Sequence, residues 1–245
     1  MQAQLRLLLC VAAISLGGAV IGIDTGIIAT VIAQDSFNDF MFPPGTKNAS
    51  SLLGAIVAMS STGSAVGSLL CGLTLEKLGR KYTIMISTLF TIVGAVFQTA
   101  ANGVAMMIIG RLICGIALGI LSPSISVYIS ELARPQERGR FIGAFGLIMS
   151  IGFCVANWIG YACSFANTSK IWRLELAMQF PVAVVLLIFC IFLPESPRWC
   201  TYNTPSRSEV SSLTYISLQW PKRTDQRNSK PPFVAYMHRN QKKSF

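Results

Sequence analysis

The chain has 245 residues, of which 52% are hydrophobic and 12% are charged, about half the charged fraction of an ordinary soluble domain. This composition excludes an ordinary soluble globular protein and is typical of a membrane protein. The net charge of +10 would point to nucleic acid in a soluble protein, but here the basic residues collect in loops on one side of the membrane, so no nucleic-acid partner is expected.

Six apolar stretches follow one another along the chain, each long enough to cross a hydrocarbon core about 30 Å thick as a helix. They are predicted at residues 7–33, 52–75, 82–101, 104–130, 141–163 and 174–193, the last broken near its start by Pro181. Residues 1–6 precede the first span, a polar loop occupies residues 35–51, and residues 200–245 form a basic tail that is predicted to be largely disordered. The predicted fold class is an all-α membrane protein of six transmembrane helices, in which residues 7–199 form the bundle.

Lysine and arginine residues are divided unevenly between the two sides of the predicted bundle. Sixteen lie at the N-terminus, in two of the loops and in the tail, and three lie in the loops of the opposite side. The positive-inside rule makes the sixteen-charge side cytoplasmic, with both termini there. The glycosylation sequons at Asn48 and Asn167 fall in loops of the opposite side, which agrees with this orientation.

Small residues recur at every fourth position on four of the predicted helices. Such stripes let helix backbones approach closely in lipid, so the helices are predicted to form a bundle. The stripes are Gly18, Gly22 and Gly26; Gly63 and Gly67; Gly115 and Gly119; and Gly152, Ala156 and Gly160.

Residue types that build metal and catalytic sites are scarce in the membrane part. His238 is the one histidine of the chain, and the seven cysteines include no C-x-x-C pair. We therefore expect no metal site and no cofactor. No predicted helix carries paired carboxylates or an activated nucleophile, so an enzyme is not expected either.

Two ionisable residues, Asp24 and Arg111, are identified as the only ones well inside the apolar stretches. At 1.5 Å per residue, each lies roughly 10 to 14 Å below the outer surface, so the two side chains could meet. A charge buried alone costs several kcal/mol, and pairing is the usual remedy. Our hypothesis is that Asp24 takes up and releases a proton while Arg111 adjusts its proton affinity. The alternative is a static structural pair.

Several motifs, in order along the chain, resemble the amino-terminal half of the sugar porters of the major facilitator superfamily, of the fungal hexose type. The resemblance covers roughly residues 15–200. It rests on GIDTG at 22–26, GLTLEKLGRK at 72–81, GR at 110–111, Glu131, RG at 138–139 and PESPRW at 194–199.

The resemblance implies a twelve-helix secondary transporter of two six-helix halves, with substrate bound between them and alternating access by rocking. It implies proton symport of a sugar or sugar-like solute across the plasma membrane, with Asp24 as the protonation site and Arg111 as its partner. It also implies an inner-gate network of ion pairs; the alternative is that these loop charges only set the topology. The network would comprise Glu76, Arg80, Glu131, Arg138, Glu195 and Arg198.

Two departures from the family pattern concern the sugar site. Gly146 stands where the family usually presents a sugar-binding glutamine on the fifth helix, and Phe153 stands where some members have a second one. Sugar hydroxyls without partners predict weaker binding of ordinary hexoses or a different substrate. The candidate lining residues are Ile21, Gly146, Phe153, Asn157 and Gln179; Asn157 and Gln179 either face the cavity or pair with a neighbour.

The favoured interpretation is a proton-coupled carrier of a sugar-like solute, or the amino-terminal half of one. The alternative is a non-transporting membrane protein, either a sensor, a regulator that pairs with a full-length carrier, or a truncated fragment. The expected partners are the lipid bilayer, the solute and the proton, with a homo-oligomer or pairing with a full-length carrier left open.

Overall fold

The computed structural model describes residues 2–43, 48–133, 136–165 and 171–193, with side chains from Ser15 onward. These residues belong to one compact unit, Met1–Ser206. This part of the chain is helical and has no strand, and six of its spans are long and apolar enough to cross a membrane. The predicted fold class is therefore confirmed. The helices are α1 (Gln2–Ala33), α2 (Asp35–Met41), α3 (Ala49–Leu78), α4 (Arg80–Thr99), α5 (Val104–Leu132), α6 (Arg138–Ser164), α7 (Ile171–Ala177) and α8 (Gln179–Phe192).

The helices extend beyond most of the apolar stretches. For example, α3 begins three residues before the predicted residue 52 and ends three residues after residue 75. Backbone hydrogen bonding continues into the polar flanks, because a helix need not end where the lipid ends. The loop predicted at residues 35–51 also contains α2, which buries Phe37 and Met41.

The sixth span consists of two helices, α7 and α8, separated at Met178. Pro181 lies in the first turn of α8. Proline lacks a backbone N–H, and its ring would clash with the carbonyl group four residues earlier, that of Ala177, in a continuous helix. The break therefore falls just before the proline.

Glycine stripes lie at the two tightest helix contacts, where α1 packs along α6 and α3 packs along α5. A side chain at Gly22 would overlap the carbonyl oxygen of Met149 on α6. One at Gly67 would overlap the carbonyl oxygen of Ile116 on α5. These helices therefore approach each other backbone to backbone, as small residues permit in a membrane.

Buried apolar side chains form two clusters at opposite ends of the bundle. One surrounds Leu121, Ile125 and Ile129 on α5 and reaches Leu193; it marks the Glu131 end of the bundle. The other, at the Trp172 end, combines side chains of α1, α2 and α7, including Ile27, Phe37 and Trp172. On α1, Ile21 belongs to the first cluster and Ile23 and Ile27 belong to the second, so Asp24 lies close to where the two clusters meet in the middle of the bundle.

A one-residue turn joins α3 to α4 at the Glu131 end. Gly79 has φ 86°, in the left-handed region that glycine adopts without strain. Its carbonyl oxygen accepts a hydrogen bond of 2.6 Å from the Thr83 hydroxyl. The turn places Arg80 at the first residue of α4, beside the end of α5.

Candidate functional site

Asp24 on α1 and Arg111 on α5 lie together in the bundle interior. Their side chains are 3% and 1% exposed, and Nη1 of Arg111 donates to Oδ2 of Asp24 across 3.5 Å. Neither helix could bury its charge alone without a large loss of solvation energy, whereas the pair offsets part of that loss. The structure thus brings together the two residues that the sequence analysis identified as a pair.

Three polar atoms of this pair have no hydrogen-bond partner among the described residues: Oδ1 of Asp24, and Nε and Nη2 of Arg111. Gln98 on α4 lies near the pair and donates to the carbonyl oxygen of Gly110 across 3.4 Å, while its own Oε1 also has no described partner. Buried polar atoms without partners are costly. The pair therefore keeps an acceptor and two donor groups available for a proton or another polar ligand.

Arg80 and Glu131 form a second ion pair at the Glu131 end. Nη2 of Arg80 donates to Oε1 of Glu131 at 2.7 Å, and the two side chains are 17% and 7% exposed. Nη1 of Arg80 also donates to the carbonyl oxygen of Leu75 across 3.4 Å. One arginine therefore ties the start of α4 to the ends of both α3 and α5.

Two further residues of the expected gate network are among the described residues. Glu76 is exposed near the end of α3, and Arg138 is exposed at the start of α6 without an ion pair to another described residue. Glu195 and Arg198 lie outside the described residues.

The five candidate substrate-lining residues differ in burial. Ile21 and Gln179 are buried inside the bundle, at 7% and 2% exposure. Gly146, Phe153 and Asn157 instead share one outer face of α6, because they are seven and four residues apart. The Asn157 amide donates to the carbonyl oxygen of Phe153 at 2.7 Å, so it pairs with its own helix. The five residues therefore do not lie on one exposed surface, and their role in lining a substrate site stays a prediction.

A cavity of about 180 Å³ lies elsewhere, between α3, α4 and α5. Its lining is mostly apolar and includes Thr74, Ser87 and Ile120, but none of the five candidates. Apolar walls offer few partners to a polyhydroxylated solute. This cavity therefore does not replace the predicted substrate site.

Glu175 is a buried ionisable residue that the sequence analysis missed. It lies on α7 at 0% exposure, hydrogen-bonded to Thr30 and, at 2.5 Å, to Nε2 of Gln34. Glu175 is the second residue of the predicted sixth span, close to the end of that span, so the search for ionisable residues well inside the spans did not include it. Trp172, Glu175 and Gln179 are spaced three and four residues apart, which places them on one helix face, and all three are buried. That spacing was the sequence signal from which the burial of Glu175 could have been predicted.

Asn48, one of the two candidate glycosylation sites, is exposed in the turn before α3 with φ 69°. Asparagine is among the residues that tolerate this left-handed conformation. Asn167, the other candidate, lies outside the described residues.

Comparison with known proteins assigns the chain to a family. The family described as "Sugar (and other) transporter" matches residues 9–241. This match continues beyond residue 200, where the sequence analysis ended the resemblance, so that limit is wrong.

Two curated relatives illustrate the similarity. The MFS-type transporter criB of Aspergillus cristatus is 40% identical over 184 residues, covering 75% of this chain and 39% of the relative. The high-affinity glucose transporter of Kluyveromyces lactis is 34% identical over 203 residues, covering 83% of this chain and 36% of the relative. The chain therefore spans less than half the length of these relatives.

The fold is similar to that of solved transporters. A structure described as the MFS proton:xylose symporter XylE bound to 6-bromo-6-deoxy-D-glucose superposes with a TM-score of 0.77 at 24% identity, covering 86% of this chain and 49% of that one. At this level of identity, the likeness shows the fold alone.

Proposed function

Because the chain belongs to the family of sugar (and other) transporters, we propose that it is a transporter, or half of one, that moves a sugar or sugar-like solute. It is an integral membrane protein whose six apolar spans match the amino-terminal half of the major facilitator fold. The observation that carries the proposal is the buried pair of Asp24 and Arg111. Charges held inside a membrane bundle are expensive and are typical of ion and substrate pathways.

Asp24 is the proposed proton-coupling residue. As a carboxylate it is held by Arg111, and a proton on Asp24 would cancel the charge that this contact depends on. Arg111 has two further donor groups without described partners, so it could turn to another acceptor when Asp24 becomes neutral. Movement of α1 relative to α5 would then change the proton affinity of Asp24, which couples proton binding to alternating access.

Arg80 and Glu131 form part of the proposed inner gate, on the side that we assign to the cytoplasm. Their 2.7 Å contact supports a closed gate. Their partial exposure lets water reach the pair and separate it. The distribution of lysine and arginine supports the orientation, with both termini cytoplasmic. Glu76, Arg138, Glu195 and Arg198 remain proposed members of this gate.

The proposed solute lies against the face of α6 that carries Gly146, Phe153 and Asn157. Phe153 is 44% exposed and offers an aromatic surface, whereas Gly146 offers no side-chain hydrogen bond. Such a face suits a ring-shaped solute that needs fewer polar partners than a hexose. We therefore propose a sugar-like substrate class. We also propose a plasma-membrane location, because the family resemblance implies it.

The alternative function is a non-transporting sensor, regulator or fragment that pairs with another bundle. The exposure of α3 and α6, the least buried of the six spans, favours it. Several of their glycines have no atom within 4 Å of the place that a side chain would occupy, and small residues of this kind are typical contacts between membrane helices. The partner would be a second copy of this chain or a full-length carrier. The open glycines are Gly54 and Gly72 on α3, and Gly139, Gly143 and Gly146 on α6.

Uptake in cells without their own carriers tests the first proposal. Cells expressing this chain would be given radiolabelled glucose, xylose and quinate while the external pH is recorded. We expect uptake that alkalinises the medium and that is lost in Asp24→Asn at matched surface expression. Asp39→Asn, the same change at an exposed position of α2, is the control and should leave uptake unchanged.

Two results would reject the transport proposal in its present form. Uptake that persists in Asp24→Asn with an unchanged pH response would remove the proton role of Asp24. Absence of uptake at normal surface expression would reject transport by this chain alone. Surface expression that requires a co-expressed full-length carrier would favour the alternative function.

A further inference from the structure

We propose that Glu175 is a second proton-binding residue, whose neutral form joins α7 to α1 at the Trp172 end of the bundle. This inference does not depend on transport. It rests on the packing of one carboxyl group that neither the ion pairs nor the proposed carrier mechanism uses.

The carboxyl group of Glu175 lies between α1 and α6 without contact with solvent. One oxygen, Oε1, contacts the hydroxyl of Thr30, and the other accepts from Nε2 of Gln34 at 2.5 Å. On the α6 side, a side chain at Gly160 would lie 2.6 Å from Oε1. Glycine at this position therefore leaves just enough room for the carboxyl group.

The hydrogen count at Thr30 favours the neutral acid. The Thr30 hydroxyl has two oxygen neighbours, Oε1 of Glu175 and, at 2.9 Å, the carbonyl oxygen of Ile27. A hydroxyl carries one proton, so it can donate to only one of them. When it donates to Ile27, the contact with Glu175 is completed by a proton on Oε1, which a carboxylate lacks. The protonated acid therefore satisfies both contacts at once.

No cation among the described side chains compensates a charge on Glu175. The ion pairs of Arg80 with Glu131 and of Arg111 with Asp24 do not involve Glu175. The basic residue nearest in sequence, Arg173, directs Nη2 to the carbonyl oxygen of Ala101 at 3.1 Å and to the Asn102 side chain at 3.0 Å. An ionised carboxyl group that is buried without a counter-charge is strongly disfavoured.

Other titratable groups on the helices around α7 add no positive charge at this end. At this end the described groups on the surrounding helices are Tyr161 and Cys163 on α6, the exposed Asp35 and Asp39 on α2, and Asp24 deeper on α1. The basic residues of α6, Arg138 and Arg140, lie at its other end. The basic residues of α4, Arg80 and Lys81, lie at its opposite end, and α8 has none.

A proton-dependent joint between α1 and α7 follows from this arrangement. The folded chain holds a proton that an exposed glutamate of the unfolded chain has released at neutral pH. Folding stability should therefore fall as the pH rises, because the folded state then binds more protons than the unfolded state. Loss of the proton removes the hydrogen that Oε1 shares with Thr30 and leaves an unpaired charge in the joint.

Infrared spectroscopy of the full chain in lipid vesicles tests the protonation state directly, because neutral carboxyl groups have a carbonyl band distinct from that of carboxylates. At neutral pH we expect one such band to be present in the wild type and in Asp24→Asn but absent in Glu175→Gln. A wild-type spectrum without a band that depends on Glu175 would overturn the proposal.

Thermal unfolding across a pH series gives a second readout. Glu175→Gln keeps a donor for Thr30 and an acceptor for Gln34, but it cannot exchange a proton, so its unfolding midpoint should lose most of the alkaline decline seen in the wild type. Asp39→Asn, at an exposed carboxylate, should keep the wild-type decline. An unchanged decline in Glu175→Gln would refute the joint. Should this variant not fold, Thr30→Val still tests the proposal, since it should shift the infrared band of Glu175 by removing its hydrogen-bond partner; an unshifted band would count against it.

Discussion

Oδ2 of Asp24 and Nη1 of Arg111 lie 3.5 Å apart, although 87 residues separate them in the chain. Both side chains are almost completely removed from solvent. The contact links α1 to α5, two helices that otherwise share far less surface than α1 shares with α6. Because each charge offsets the burial of the other, the effects of substituting them should not be additive.

Replacing Asp24 should lower the unfolding free energy more than replacing Arg111. Asp24→Leu leaves Arg111, which cannot lose its proton, as an unpaired buried charge, so we expect a loss of about 3–5 kcal/mol in unfolding free energy. Arg111→Met leaves Asp24, which can become neutral by binding a proton, and should cost less. Thermal or denaturant unfolding of the purified variants measures both.

The double variant Asp24→Leu with Arg111→Met is the control for this prediction. It removes both charges, and it should recover much of the stability lost in Asp24→Leu, because an apolar replacement of a buried ion pair is often nearly neutral. Additive losses in the double variant would show that the two charges do not interact.

Glycine substitutions on α3 should distinguish a packed face from an open one. Gly67→Ala places a methyl group against the carbonyl oxygen of Ile116, and such overpacking costs about 1–3 kcal/mol. Gly72→Ala meets no atom within 4 Å and should be neutral or stabilising by up to about 1 kcal/mol, because alanine is the better helix former. Equal unfolding midpoints for the two variants would contradict the close contact between α3 and α5.

Much of this fold could be predicted from the sequence, because lipid leaves few structural choices. Apolar runs long enough to span must be helices, and the stripes that include Gly22 and Gly67 indicated the tight contacts that α1 and α3 make. The short helix α2 could not be predicted in this way, since seven residues lie below the length of a span and their burial depends on Trp172 far along the chain.

The candidate site was only partly predictable for a similar reason. Asp24 and Arg111 stand out because their neighbours are apolar, whereas Glu175 follows Arg173 closely and resembles the end of a polar loop. Its burial is decided by Thr30 on α1 and by Gln34 at the junction of α1 and α2. Sequence periodicity shows which residues share a face, but it does not show which helix covers that face.

Trp172 should be the most costly aromatic residue to truncate at its end of the bundle. It is 0% exposed, and the rings of Phe37 and Phe40 lie with their centroids 5.5 Å from it. Trp172→Ala should lower the unfolding free energy by about 3–5 kcal/mol. Trp158→Ala, at a position that is 69% exposed, is the matched control and should have a much smaller effect. Comparable losses would mean that α2 does not depend on Trp172 for its packing.

Exchanging the charges of Arg80 and Glu131 tests whether this pair holds α4 to α5. Each single reversal, Arg80→Glu or Glu131→Arg, places like charges where the structure has a 2.7 Å contact and should lower the unfolding midpoint. The double reversal restores opposite charges and should recover part of the loss. Exposed pairs couple by about 0.2–1 kcal/mol, and since Glu131 is only 7% exposed, we expect a coupling energy near the upper end of that range.

The same charge exchange separates a structural tie from a gate. Arg140→Glu reverses a charge at an exposed position near the start of α6 and controls for net charge, so it should neither couple to Glu131 nor alter the conformational equilibrium. If the pair is a gate, Arg80→Glu should also increase labelling of an engineered cysteine at the Glu131 end by a water-soluble reagent, and the double reversal should reduce that labelling again. Coupling in stability without any change in labelling would identify a tie that does not open. The ion pair of a gate must break during transport, whereas a structural tie between α4 and α5 need not break. Labelling increases only when the pair opens.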